Sequence, residues 1–201
     1  MANVNSLIVI GLWITLILSI AIGCKALWPN QGELSRKVVH IGTGPVIPLA
    51  WWLDVPARVA IPLALVITIG LLMNHHLRFV PAIEDVNRKS YGTITYGLAI
   101  TALFVFYWPE NAAAVCAGTL IMAFGDGLAG LIGPQIKSPS WKIFNQRKSI
   151  AGTLTMAIVS MSVLILISVT IGIPLQPAKL CVLTGIAVGL EQISGWGNTR
   201  V

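Results

Sequence analysis

Two acidic residues sit where acids are costly. Asp126 lies in Ala123-Phe124-Gly125-Asp126-Gly127-Leu128-Ala129-Gly130, and Glu191 in Gly189-Leu190-Glu191-Gln192-Ile193-Ser194, each inside or at the end of an apolar stretch. An ionised side chain in a bilayer costs about 2.5–3.5 kcal/mol on insertion scales, so it normally faces protein or water and marks a site. On a helix Asp126 shares a face with Ala123, Ala129, Gly130 and Gly133, small residues that allow a second helix, a metal or a phosphate to come close. The plainer reading of each acid is a buried ion pair with a neighbouring Lys or Arg.

Cations gather in two further patches. In Glu33-Leu34-Ser35-Arg36-Lys37-Val38-Val39-His40, Arg36 and His40 are i,i+4 neighbours with Lys37 between them. Arg and Lys at a helix entrance suit phosphate, because Arg grips oxygens in bidentate fashion and the first turn offers unpaired N–H groups. Asn145-Gln146-Arg147-Lys148-Ser149-Ile150-Ala151-Gly152 precedes another apolar run, so side-chain cations and backbone donors converge on an anion there as well. The Gly-x4-Gly-Lys-Ser spacing of a P-loop is absent. Against both patches stands the positive-inside tendency of membrane proteins, which places Lys and Arg in such loops without any ligand.

Other polar residues carry less. His75 and His76 are adjacent and point apart on a helix, a poor metal pair that reads as solvated. Ser90-Tyr91-Gly92-Thr93 reads as a turn whose hydroxyls serve either as polar contacts or, through Thr93, as the cap of the next helix. Cys24, Cys116 and Cys181 lie far apart with no CxxC spacing, which indicates neither zinc nor a disulfide framework.

The elements that position these residues follow from hydropathy. The chain has 201 residues, 56% apolar and 10% charged, too little polar surface for a water-solvated fold of this size. Apolar stretches near 6–24, 38–53, 59–73, 93–108, 112–132, 150–172 and 179–194 indicate an all-α, polytopic transmembrane bundle of about seven helices in one domain spanning residues 1–201. The second and third stretches contain Pro45, Pro48 and Pro62 and are expected to be short, kinked or tilted. The first stretch lacks a basic n-region and a small-residue cleavage pattern, so it reads as a retained helix.

Orientation comes from the loops. Of the 13 Lys and Arg residues, all but Arg58 and Lys179 fall in one alternate set of loops, which puts the amino terminus outside and the long loops in the cytoplasm. Trp51, Trp52 and Trp108 then mark the outer interface, and Trp28, Trp141 and Trp196 the inner one. The net charge of +6 is explained by this bias, and no basic-aromatic interleaving points to nucleic acid. Carboxylates for a divalent cation and cations for a polyphosphate fall on the same membrane face, beside lipid that holds a hydrophobic substrate. Together they indicate phosphoryl transfer, which depends mostly on positioning and charge neutralisation.

These residues resemble the phytol kinase, dolichol kinase and polyprenol kinase family, and within it the short phytol or farnesol kinases. The resemblance is carried by Arg36-Lys37-Val38-Val39-His40, Ser90-Tyr91-Gly92-Thr93, Asp126-Gly127-Leu128-Ala129-Gly130-Leu131-Ile132-Gly133, Lys148-Ser149-Ile150-Ala151-Gly152-Thr153 and Glu191-Gln192-Ile193-Ser194, in that order. It implies that CTP, with Mg2+ or another divalent cation, phosphorylates an isoprenoid alcohol at the cytoplasmic face. On this sequence it makes Asp126 and Glu191 the candidate metal ligands and Arg36, Lys37, Arg147, Lys148 and Ser149 the nucleotide contacts. Asp126, Lys148 and His40 are then the candidate catalytic residues, with Asp126 removing the hydroxyl proton. The expected setting is a bacterial inner, thylakoid or plastid membrane. The expected partners are the alcohol, the nucleotide and membrane lipid, with a homodimer allowed and no nucleic acid. The family's pattern is expected to continue past Glu191 into an acidic-Asn pair and one more hydrophobic helix, where this sequence has Gly197-Asn198-Thr199-Arg200-Val201; either the carboxyl terminus is truncated or altered and the domain lacks that helix, or the family's pattern is looser.

Three other functions use overlapping residues. A membrane cytidylyltransferase needs the same metal and phosphate contacts but releases pyrophosphate. An ion-coupled transporter would use Asp126 and Glu191 at the midplane between repeated halves, and no internal repeat is visible. In a noncatalytic scaffold the clustering is coincidence.

Overall fold

The computed structural model describes residues 4–29, 32–77, 92–143 and 146–193. The expectations for Ser90-Tyr91, for Asn145, for the loop Lys and Arg within 78–89, and for the stretch 194–201 with Trp196 lie outside the described residues. The chain divides into two compact units, Met1–Val115 and Cys116–Val201.

Apolar runs become helices because only a helix satisfies every backbone N–H and C=O within one segment. The first unit contains α1 (Val4–Leu27), α2 (Gly32–Thr43), α3 (Val46–Trp52), α4 (Ala57–Leu77) and α5 (Gly92–Tyr107). The second apolar stretch is indeed broken, with α2 and α3 separated at Gly44-Pro45. Pro62 does not shorten the third stretch: α4 runs uninterrupted for 21 residues, longer than its hydropathy suggested. A proline near the start of a helix removes one N–H, and a long apolar run tolerates that loss.

α1 packs on α2 at a bare glycine. A Cβ at Gly42 would lie 2.6 Å from Ile17 Cγ2, and Trp13 Nε1 donates to the Gly42 carbonyl at 2.9 Å. α4 and α5 pair through the buried hydroxyls of Thr68 and Thr101, 3.0 Å apart. Trp108, just past the end of α5, is turned into the protein: only 4% of it is exposed, and its indole N–H donates to the Val55 carbonyl at 2.9 Å.

α6 (Ala112–Leu120) crosses the division between the units and continues as a π-helical segment, Ile121–Asp126, and then as α7 (Gly127–Ile132). The second unit goes on with strands β1 (Ser140–Ile143) and β2 (Gln146–Ser149), α8 (Ile150–Thr170) and α9 (Pro177–Ile193). Gly172, at φ +68, takes the left-handed conformation that closes α8, and Pro177 opens α9 where its missing N–H is harmless. The π-helical segment and α7 pack on α8 through small residues. A Cβ at Gly133 would meet Ser149 Oγ at 3.0 Å and Gly152 Cα at 3.2 Å, and one at Gly125 would meet Met156 Sδ at 2.5 Å.

Four helical stretches are long and apolar enough to cross a membrane: Val4–Leu27, Ala57–Leu77, Ala112–Ile132 and Ile150–Thr170. The all-helical, multi-helix class expected from hydropathy is therefore observed. The β1–β2 hairpin is an addition that hydropathy did not show.

Candidate functional site

The best-defined polar cluster lies in the second unit, where the hairpin meets the end of α9. β1 and β2 are antiparallel, with Trp141 opposite Lys148 and Lys142 opposite Arg147. Successive residues of a strand point to opposite sides, so Arg147 and Lys148 part company. Arg147 is exposed and donates from Nε to Ser140 Oγ at 2.9 Å within the hairpin. Lys148 turns inward, and its side chain is only 10% exposed.

Lys148 meets Glu191. Its ammonium donates to the Glu191 carbonyl oxygen at 2.8 Å and forms an ion pair with Glu191 Oε1. The Glu191 side chain is 9% exposed, and its other oxygen accepts from Gln192 Nε2 at 2.8 Å. Gln192 Nε2 also donates to Thr153 Oγ1 at 3.0 Å. A lysine at a helix C-terminus satisfies a last-turn carbonyl and complements the helix dipole, so this contact joins the start of α8 to the end of α9. The plainer reading of Glu191, a buried acid paired with a cation, is what the geometry shows.

The N-terminus of α8 differs from the open anion site that the sequence suggested. Ser149 is its N-cap, in extended conformation, and accepts from Gly152 N–H at 3.2 Å. Its hydroxyl donates to the Gly133 carbonyl at 3.2 Å, Ile150 N–H reaches the Pro139 carbonyl at 3.0 Å, and Ala151 N–H reaches Ser138 Oγ at 3.2 Å. The opening donors of this helix are thus already taken by the chain.

Asp126 ends the π-helical segment and precedes α7, yet its carboxylate makes no capping bond. It lies seven residues before Gly133, which packs on Ser149 and Gly152; at ~1.5 Å per residue this places Asp126 roughly 10 Å further along the helix from the hairpin. Single-turn π segments recur at functional sites, and hydropathy gives no sign of one.

Arg36, Lys37 and His40 fall in the first unit, on α2. Lys37 is 7% exposed. The His40 ring packs against Tyr96, centroids 4.2 Å apart, and the Tyr96 hydroxyl donates to the His40 carbonyl at 3.4 Å. Thr93 lies inside the first turn of α5 and is not its cap. His75 and His76 close α4 edge to face, with ring centroids 5.7 Å apart.

The described residues contain no group of three or more His, Cys, Asp and Glu able to hold a metal. Mg2+ does not require one, since it is commonly bound by one or two carboxylates together with substrate phosphates. Glu191, expected as a second ligand, has both carboxylate oxygens engaged by Lys148 and Gln192. Sequence reasoning also passed over Thr153, Gln192 and two fully buried hydroxyls, Thr119 and Ser160, which have no hydrogen-bond partner among the described residues. Ser160 faces the bare backbone of Gly125, 3.6 Å from the position of an added Cβ.

The fold and this cluster define a small polytopic membrane protein with a buried Lys–Glu pair at the helix ends. Phytol kinase of Synechocystis sp. is 38% identical over 172 residues, covering 84% of this chain and 73% of that protein. The chloroplastic farnesol kinase of Arabidopsis thaliana is 27% identical over 160 residues, and chloroplastic phytol kinase 1 of the same plant 33% identical over 142 residues. The chain spans about half the length of those plant relatives, 50% and 45%. No family model and no solved structure matches. The chain belongs to the phytol kinase and polyprenol kinase family.

Proposed function

We propose that the protein phosphorylates an isoprenoid alcohol, transferring the γ-phosphate of CTP to its hydroxyl at the cytoplasmic face of the membrane. The phytol and farnesol kinases among its relatives support the reaction class. The observation that carries it in this chain is Lys148, a buried ammonium fixed by Glu191 at the hairpin. An ammonium has three donors, and two are spent on Glu191, which leaves the third for a phosphate oxygen.

In this reading the alcohol oxygen bonds to the γ-phosphorus, the bond from that phosphorus to the β–γ bridging oxygen breaks, and CDP leaves with the electron pair. The hydroxyl proton passes to the Asp126 carboxylate. Lys148 neutralises charge on the transferring group, the main demand of such a reaction. Mg2+ would be held by Asp126 with the nucleotide's own phosphates and would neutralise further charge there. Glu191 serves by anchoring Lys148, Ser149 by capping α8 behind it. Arg147, on the exposed side of β2, meets the nucleotide from water. The cyanobacterial and chloroplast relatives favour a bacterial inner, thylakoid or plastid membrane.

Product analysis tests the reading. Purified protein given CTP, Mg2+ and farnesol or phytol is expected to release CDP and prenyl phosphate. Pyrophosphate released from CTP and a lipid phosphate would instead identify a cytidylyltransferase.

A further inference from the structure

The β1–β2 hairpin sets two cations against each other. Lys142 and Arg147 are directly opposite in its register, so their side chains rise from one face with Cβ atoms about 4.5–5.5 Å apart. Both are exposed. Like charges in that relation repel and weaken the strand pairing, whereas an acid opposite a cation strengthens it. Among the described residues neither side chain meets a carboxylate.

Strand alternation decides what shares their face. Lys148, one residue along β2, points to the other side and is held by Glu191. Ser140, two residues before Lys142 on β1, lies on the side of the two cations, and its Oγ accepts from Arg147 Nε at 2.9 Å. That bond fixes the guanidinium at its Nε edge and leaves both terminal NH2 groups for a two-pronged grip on an oxyanion. Lys142 adds a compact charge with three donors on a flexible stem. A phosphate has oxygens enough for both: two for the fork, with lone pairs to spare for the ammonium.

The hairpin lies in the loop set that the charge bias assigns to the cytoplasm. Phosphate comes from two sources there, a nucleotide and the headgroup of an anionic lipid. It is not the transferred group, because Lys148 works on the opposite side of the strand.

We infer that Lys142 and Arg147 clamp one phosphate group, either a non-transferred phosphate of the nucleotide or the phosphate of an anionic lipid headgroup, with Ser140 holding the guanidinium in place. The nucleotide source rests on the kinase reading; the clamp itself does not. Bound phosphate turns a repulsive pair into a bridged one, so the hairpin is expected to be firmer with its ligand than without.

Titration of the purified full chain in detergent tests the clamp without turnover. CDP is one probe, and phosphatidylglycerol measured against phosphatidylcholine is the other, each followed by calorimetry or thermal shift. At least one of CDP and phosphatidylglycerol is expected to bind about tenfold more weakly to Lys142→Gln and to Arg147→Gln than to wild type. The ligand whose affinity falls names the source. Lys137→Gln removes the same charge from another exposed position before the hairpin and is expected to leave both affinities near wild type. Unchanged affinity for both probes in Lys142→Gln, or an equal loss in Lys137→Gln, would overturn the inference. Phosphate transfer from CTP on the same preparations separates the two readings. A wild type whose binding depends on Lys142 but which transfers nothing contradicts the kinase alone, and one that transfers while both affinities ignore Lys142 contradicts the clamp alone.

Discussion

Lys148 and Glu191, 43 positions apart, form a buried ion pair in which the lysine also holds the glutamate's own carbonyl oxygen at 2.8 Å. Removing one partner leaves an uncompensated charge, which typically costs about 3–5 kcal/mol, whereas replacing both by apolar groups is often neutral. Lys148→Met and Glu191→Leu are each expected to lower thermal stability strongly, and the double variant much less than their sum. Unfolding followed by tryptophan fluorescence in detergent checks this. On the proposed chemistry, all three variants lose phosphate transfer, so stability and activity separate in the double variant.

Ser149 caps α8 and bridges to Gly133 with a single hydroxyl. Ser149→Ala is expected to cost about 1–2 kcal/mol through the lost cap. Ser149→Asn, which restores a capping acceptor, is expected to recover part of that stability. The readout is again the unfolding midpoint.

The contact of α7 with α8 leaves no room at Gly133, where a Cβ would come within 3.2 Å of Gly152 Cα. Gly133→Ala is expected to destabilise by about 1–3 kcal/mol through overpacking. Gly185→Ala, with nothing within 4 Å of the added Cβ, is expected to be neutral or slightly stabilising, since alanine is the better helix former. Measuring the two variants side by side controls for the general effect of replacing glycine in a membrane helix.

Hydropathy located the helical stretches because lipid admits few alternatives to a helix, and it did so even across the break at Gly44-Pro45. It missed what depends on distant partners or on backbone register. Lys148 and Arg147 read as equivalent cations until strand alternation sent one inward and the other to solvent. A four-residue strand leaves too short an alternation to stand out beside an apolar helix. Glu191 gave no sign of its partner, which is 43 residues away. The position of Trp108 at a helix end says nothing of the Val55 carbonyl that its indole meets. The π-helical turn before Asp126 is a shift of hydrogen-bond register, to which composition is blind. The acids and cations were legible because each is expensive in lipid; their pairings were not.

The most direct measurement is transfer of γ-labelled phosphate from CTP to phytol, farnesol and geranylgeraniol by purified protein with Mg2+, beside Asp126→Ala. The proposed function requires labelled prenyl phosphate from the wild type and at least a hundredfold less from the variant, the loss typical for a group that acts on the proton or on transition-state charge. Absence of labelled product from every alcohol, with folded protein and an active control kinase, would contradict it.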